Sequence, residues 1–528
     1  MPVTPTYPGV YIEEIPSGVR TITGVATSIT AFIGRAMRGP VDDPVTINNF
    51  GDFERVFGGL GLDSPMSYAV RDFYLNGGSQ AIIVRLYHAE EGTNAKPAKA
   101  KLVANGLSLE AAYPGSWGNN LRARVDHKTR DTLPSEAPDS LFNLFIRDGK
   151  TGQIEEFRNL SITAGHARQA DKVLLDQSKL MRVQGALPTT RPTTHPDPQS
   201  GQDVWGDNTP PTNSKVADTD KASDGVVLTI DDFTGSGMQQ NKQGLYALKK
   251  TDLFNLLCIP SHILGGDIED SLIDSAITYC KERRAMFLID APSGWTDKES
   301  AKSGIGTEVG AASNYAALFF PRLKQPNPLR DNQMEDFVPC GAVAGIFART
   351  DTQRGVWKAP AGLEASLIGV PQLTVPLTDP ENGELNPLGV NCLRTMPAAG
   401  RVVWGSRTRE GDDRLASEWK YIPVRRLALF IEESLYRGTQ WVVFEPNDEP
   451  LWAQIRLNVG AFMQNLFRQG AFQGKTRSEA YFVKCDKETT TQNDINLGIV
   501  NILVGFAPLK PAEFVIIKIQ QMAGQVET

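Results

Sequence analysis

The sequence predicts a multidomain protein of mixed α/β and α+β class, with mixed sheets and flanking helices, and three observations carry that reading. A strand–helix–strand order runs from Thr27 to Leu86, and a second runs from Leu253 to Asp290. Between them, residues 91–240 change texture, with short strand-like pieces and a long polar stretch. Domains usually span about 100–200 residues, so a chain of 528 has room for about three.

The first order begins with Ile29, Ala31, Phe32 and Ile33, an apolar run that predicts a buried strand between Thr27 and Arg35. Phe50 to Phe57 reads as a short helix closed by Gly58-Gly59, and Ser67 to Leu75 as a second helix stopped by Asn76-Gly77-Gly78. Ala81 to Leu86 reads as a strand. Strands alternating with helices in this way build an α/β layer. In the second order, Leu253–Ile259 and Met286–Asp290 are near-continuous apolar runs, as strands buried on both faces tend to be. Ile268 to Arg284 between them is helix-like, and both strands are expected to join the first sheet.

The middle stretch offers strands at Leu121–Asp126 and Leu141–Arg147. From 187 to 224 Pro, Thr, Asp, Ser and Gly dominate, too apolar-poor to offset the entropy of ordering. This predicts an irregular surface loop that tolerates deletion. The C-terminal part is the most regular. Leu427, Phe430, Ile431 and Leu435 recur at helical spacing before Gly438, and Trp441 to Phe444 reads as a strand. Asn447-Asp448-Glu449-Pro450 combines a capping side chain, an acid and a first-turn proline. The helix it opens carries Leu451, Ile455, Val459, Phe462, Met463 and Leu466 on one stripe. Tyr481–Val483, Ile499–Phe506 and Glu513–Gln520 read as strands, with Pro508 and Pro511 as breaks.

Composition narrows the function. Fifty-four basic residues against 61 acidic give a net charge of −7, and no cluster of Lys and Arg marks a nucleic-acid face. The first residues lack the charged and apolar blocks of a signal peptide, and no run of 18 apolar residues suggests a membrane span. Five scattered cysteines (Cys258, Cys280, Cys340, Cys392 and Cys485) form no CxxC pair and read as buried thiols of a protein made in the cytosol.

Motifs for chemistry are sparse. His88, His127, His166, His195 and His262 share no metal-ligand spacing, so no metal site is expected. There is no phosphate-binding GxxxxGK[ST], and Gly58-Gly59-Leu60-Gly61 reads as a turn. There is no GxSxG elbow, since Ser406 lacks the second glycine. Asp290 stands where α/β enzymes keep catalytic groups, but without a companion base or nucleophile it reads as a turn or capping residue. No catalytic residue, no cofactor and no cofactor-binding residue is expected.

The two ends are more informative. Residues 1–20 carry Pro2, Pro5 and Pro8, which favour an extended backbone, followed by a short strand at Val10, Tyr11 and Ile12. That strand either frays or pairs elsewhere. The last strand is apolar on both faces, Phe514 and Ile516 on one, Val515, Ile517 and Ile519 on the other. Such a strand needs cover, either inside the chain's own sheet or on a neighbouring subunit. Ends lent to copies of the same surface make head-to-tail contacts, which close into rings or grow into filaments.

At this point the residues resemble a known family. Tyr7-Pro8-Gly9-Val10-Tyr11-Ile12-Glu13-Glu14 resembles the opening of contractile tail sheath proteins. Arg354-Gly355-Val356-Trp357-Lys358-Ala359-Pro360-Ala361-Gly362 resembles a second signature, and Asn391-Cys392-Leu393-Arg394 with Val402-Val403-Trp404-Gly405-Ser406-Arg407-Thr408 a third. The stretch from Arg425-Arg426-Leu427 through Phe444-Glu445-Pro446-Asn447-Asp448-Glu449-Pro450-Leu451-Trp452 is similar too, and Pro511-Ala512-Glu513-Phe514 completes the set. The matches cover roughly residues 7–90 and 250–525, in order; 91–240 departs from them.

The resemblance implies a subunit that stacks as hexameric rings around an inner tube protein, contacts baseplate and tail terminator or cap proteins, and contracts to drive the tube through a target envelope. It implies six regions: an N-terminal arm 1–20, a first part of the sheath domain 21–90, an outward-facing insertion 91–240, a second part 241–404, a tube-facing core 405–510 and a C-terminal arm 511–528. The arms would add strands to the core sheet of neighbouring subunits. Gln454, Arg456, Gln464 and Arg468 become candidates for a tube-facing helix. No nucleic-acid partner and no direct membrane insertion is implied. Assembly is expected in the bacterial cytoplasm, into a phage tail or a contractile injection particle. The alternatives are a tube, terminator or baseplate protein, or an α/β enzyme with a site drawn from distant residues.

Overall fold

The computed structural model of the chain describes residues 20–93, 95–133, 137 and 140–519. The strand expected at Val10, Tyr11 and Ile12 lies outside the described residues.

The architecture is built on an eight-stranded sheet in the order 400–403, 390–396, 316–320, 286–290, 256–258, 30–34, 81–85, 45–47. The six inner strands are parallel, and both edge strands run antiparallel to their neighbours. The two α/β stretches do share this sheet: Thr30 pairs with Ala81 on one side and with Leu256 on the other. Alternate side chains explain why the strands read as continuous apolar runs. Phe32, Ile83, Leu288 and Phe319 face helices Pro65–Leu75 and Cys340–Arg354, whereas Ile33, Val84, Ile289 and Leu318 face the side of helix Asp270–Glu282. Both faces are covered, so polarity never alternates.

Residues 100–222 enclose a core of their own under a four-stranded and a three-stranded antiparallel sheet. The 187–224 stretch is irregular but fastened. His195 exchanges hydrogen bonds with Val125, and Arg124 donates to the carbonyls of Pro196 and Thr212 at 2.7 Å. A sequence poor in apolar residues is held here by polar contacts instead.

The C-terminal unit packs helices Ile422–Gly438 and Glu449–Arg468 with a two-stranded sheet, Tyr481–Lys484 against Leu503–Phe506. Asp448 caps the second helix through the Leu451 amide. Trp441 to Phe444 is not a strand. A 3-10 turn covers Gln440–Val442, and Phe444 sits at φ 70 with its ring wholly exposed. Likewise, only Leu503–Phe506 of the 499–506 run is extended in a sheet, because the turn at Gly498 takes the Ile499 amide, which donates to the Asp494 carbonyl at 2.8 Å.

Candidate functional site

The last described residues leave the fold in three steps. Phe506 ends its strand, and Ala507 still exchanges backbone hydrogen bonds with Ala480 and Gln473 at 2.8 and 2.9 Å. Residues 509–514 then line a groove of about 800 Å³ with Trp357, Lys358 and Trp404. At its floor Glu513 is clamped. Arg407 donates to both of its oxygens at 2.7 Å, and the Tyr421 hydroxyl donates at 3.0 Å. The Arg407 side chain has no solvent exposure and also binds Asp413 at 3.0 Å. Asn391 fixes the loop beneath, accepting from the Arg407 amide and donating to its carbonyl, both at 2.7 Å. Burial alone would raise the Glu513 pKa. The hydrogen bonds and charge of Arg407, with Tyr421 and Lys420, outweigh it and hold the carboxyl below its ordinary value.

Beyond the clamp the chain is free. Phe514, Val515, Ile516, Ile517 and Ile519 are 74–93% exposed, and 514–519 makes no hydrogen bond to any described residue. The expected last strand is therefore in no sheet among the described residues. A two-sided apolar strand with an unused backbone ladder is a donor for strand addition. The same unit carries a small sheet. Each strand of the 481–484 and 503–506 pair has one strand partner among the described residues, so each presents an outer edge, with Phe482 and Leu503 exposed beside it.

The tube-facing candidates divide. At about 100° per residue, Gln454, Gln464 and Arg468 share one side of the helix, and Arg456 falls away from them. Arg456 donates to the Cys485 carbonyl and to Glu449, and Gln464 accepts from the Tyr481 hydroxyl at 2.9 Å, so both tie the helix to its neighbours. Gln454 and Arg468 point to solvent. Sequence reasoning missed the Arg407–Glu513 clamp. Both residues stand in the motifs quoted above, but they are 106 positions apart and no local pattern announces their pairing. It also missed the exposed Phe444.

Asp290 serves a helix terminus. Its Oδ1 accepts from the Cys340 amide at 2.7 Å, at the start of helix Cys340–Arg354. Its buried Oδ2 has no hydrogen-bond partner among the described residues, and burial pushes the carboxyl up to about 6. Among the described residues no group of three or more His, Cys, Asp or Glu side chains is placed to hold a metal ion, and no helix is long and apolar enough to cross a membrane.

Comparison with known proteins matches two family models in tandem, the phage tail sheath protein central domain over residues 235–409 and the phage tail sheath C-terminal domain over 416–522. The chain belongs to the phage tail sheath family. The two matches take in more than half of the chain, including Arg407, Tyr421 and Glu513. Similar sheath proteins include that of enterobacteria phage T4, 25% identical over 202 residues, 38% of this chain and 29% of that protein. The tail sheath protein of Vibrio phage KVP40 is 29% identical over 137 residues, 26% of this chain and 20% of that protein. These alignments span less than half of the curated relatives' length. Solved structures share the fold along nearly the whole chain. The contracted sheath complex of an extracellular contractile injection system aligns with TM-score 0.57 and 21% identity over 98% of both chains. A sheath tail protein from Listeria innocua aligns with TM-score 0.59 and 13% identity, over 93% of this chain and 96% of that one.

Proposed function

We propose that this chain is the repeating subunit of a contractile sheath, polymerising as stacked hexameric rings around an inner tube and contracting to drive the tube through a target envelope. The observation that carries the reading is the rooted apolar segment at 514–519, which pairs with no strand among the described residues. It is held by Glu513 up to its first residue and exposed from there on. Its place is the outer edge of the 481–484 and 503–506 pair of another subunit. The N-terminal arm, 1–20, would lend a second strand.

Strand donor and strand acceptor sit on one chain, so the contact is head-to-tail and generates rings or helices instead of closed pairs. In this reading no bond is chemically changed and the protein is not an enzyme. Arm-to-core hydrogen bonds persist while outer contacts are exchanged. The 405–510 unit faces the inner tube, with Gln454 and Arg468 available to it, and the 91–240 insertion faces outward. Baseplate and terminator or cap proteins bind the two ends of the assembly. Assembly takes place in the bacterial cytoplasm, without nucleic acid and without direct membrane insertion.

A photo-crosslinking side chain at position 516 tests the donor–acceptor pairing. In assembled material it is expected to capture the 481–506 segment of a different subunit. Capture only within the same subunit would contradict the reading.

A further inference from the structure

Both arms are rooted on one helix, at opposite ends. Tyr421 immediately precedes helix Ile422–Gly438, and its hydroxyl holds Glu513. Arg407, the other arm of that clamp, is itself bridged to Tyr421, with the Ile422 amide donating to the Ser406 carbonyl at 3.0 Å and the Thr408 amide to the Lys420 carbonyl at 2.9 Å. The C-terminal arm therefore leaves from the start of the helix.

The N-terminal segment lies antiparallel along the same helix. Thr27 is held by Arg426, whose guanidinium donates to the Thr27 carbonyl at 2.9 Å, and the Thr27 hydroxyl donates to Asp351 at 2.6 Å. Arg426 and Asp351 form a pair in which each side chain is 4% exposed, pinning the helix to helix Cys340–Arg354. Further along, the Val25 amide donates to Ser434 at 3.2 Å. Ile22 rests on Gly438 so closely that a Cβ there would lie 2.5 Å from its Cγ2. Arg20 finishes the path, stacking on Trp441 at 4.6 Å and donating its amide to Asn458 at 3.0 Å. The contacts advance from Arg426 to Gly438 as the segment recedes from Thr27 to Ile22.

We infer that helix Ile422–Gly438 is a strut that passes tension from one arm to the other, with the Arg407–Glu513 clamp at its start and the seat of Ile22 and Arg20 on Gly438, Trp441 and Asn458 at its far end as its two fastenings. The inference rests on the function proposed above. A neighbour pulling on residue 514 pulls on Glu513, and through Arg407 and Tyr421 on the start of the helix. A neighbour pulling on residue 19 pulls on the segment seated at the helix's other end. Seventeen residues at 1.5 Å each give a strut of about 26 Å. The 100–222 unit stands off this path, so its core is not stretched when a lattice is strained arm to arm.

Single-molecule pulling on the whole soluble subunit, through handles at residues 19 and 514, tests this without requiring assembly. The expected result is a high-force first opening in the native chain that is lowered in Glu513→Gln and, independently, in Gly438→Ala. Asp126→Asn, in the middle unit, should leave it unchanged. Should Glu513→Gln fail to fold, Tyr421→Phe removes one bond from the same clamp and carries the same expectation. A first opening force equal to native in the clamp variant and in Gly438→Ala would overturn the strut. In parallel, Glu513→Gln sheaths are expected to break into fragments on contraction where native sheaths stay whole; fragment-free contraction also counts against the inference. Native protein that never forms cylinders would instead count against the proposed function, whatever the pulling shows.

Discussion

At Arg407 a guanidinium without solvent exposure meets a carboxylate at the point where the chain leaves the fold. Removing one member of a buried pair is strongly destabilising, and Glu513→Ala would leave the Arg407 guanidinium with Asp413 as its one carboxylate partner among the described residues, so it should weaken the hold on 511–513 by about 3 kcal/mol. The pKa direction adds a test. The folded carboxyl titrates below its ordinary value, so the clamp's contribution is complete above about pH 4.3 and is lost as pH falls through the lower folded value. Hydrogen exchange of 507–513 should show acid release of this segment, and Glu513→Gln should abolish that pH dependence. Asp290 has the opposite sign. Its pKa rises from 3.8 to about 6, so the folded state holds the proton more tightly and stability falls as pH rises across that window, then levels. Asp290→Asn keeps an acceptor for the Cys340 amide and removes the charge. It should flatten this part of the melting-temperature profile without lowering stability at pH 7. Asp290→Ala loses the acceptor and should cost about 1 kcal/mol.

At the scale of elements, what could be read from sequence follows from whether a segment's partners are local. Phe50–Phe57 and its glycine stop, Asp448 and the stripe from Leu451 to Leu466, and the apolar strands of the sheet all signal themselves within a few residues. Trp441–Phe444 misled because aromatic and β-branched residues favour strands, yet here they lie in the turn joining two helices. The 187–224 stretch misled in the other direction, because its ordering comes from Arg124, Val125 and Arg122 on a distant strand. Deleting 187–224 should therefore lower the melting temperature or solubility of the chain by exposing Arg124 and the Val125 amide. Removing only the tip at 199–203, which is exposed throughout, should leave the stability within about 0.5 kcal/mol of native. The arm clamp was illegible because it joins a lone arginine to a lone glutamate across most of the C-terminal unit.

At the scale of the whole molecule, the proposed arm contact would be weak singly and strong in number. Burying each large apolar side chain yields about 1.5–3 kcal/mol, on the order of 10 for the five between Phe514 and Ile519. Ordering six residues costs about 1–2 kcal/mol each, which nearly cancels that gain. In the proposed lattice a single arm–edge contact would thus be marginal, and strength would come from repetition along an assembly that engages both ends of every subunit. Net charge −7 repeats with each subunit, so growth should also depend on salt. Because 511–513 belong to the clamp, the informative truncation begins at Phe514.

Negative-stain electron microscopy of the purified full chain beside a chain ending at Glu513 tests the central claim most directly. The account predicts cylinders of uniform width from the full chain and folded, unassembled subunits from the truncated one. Cylinders of normal length from the chain that lacks 514–528 would contradict it.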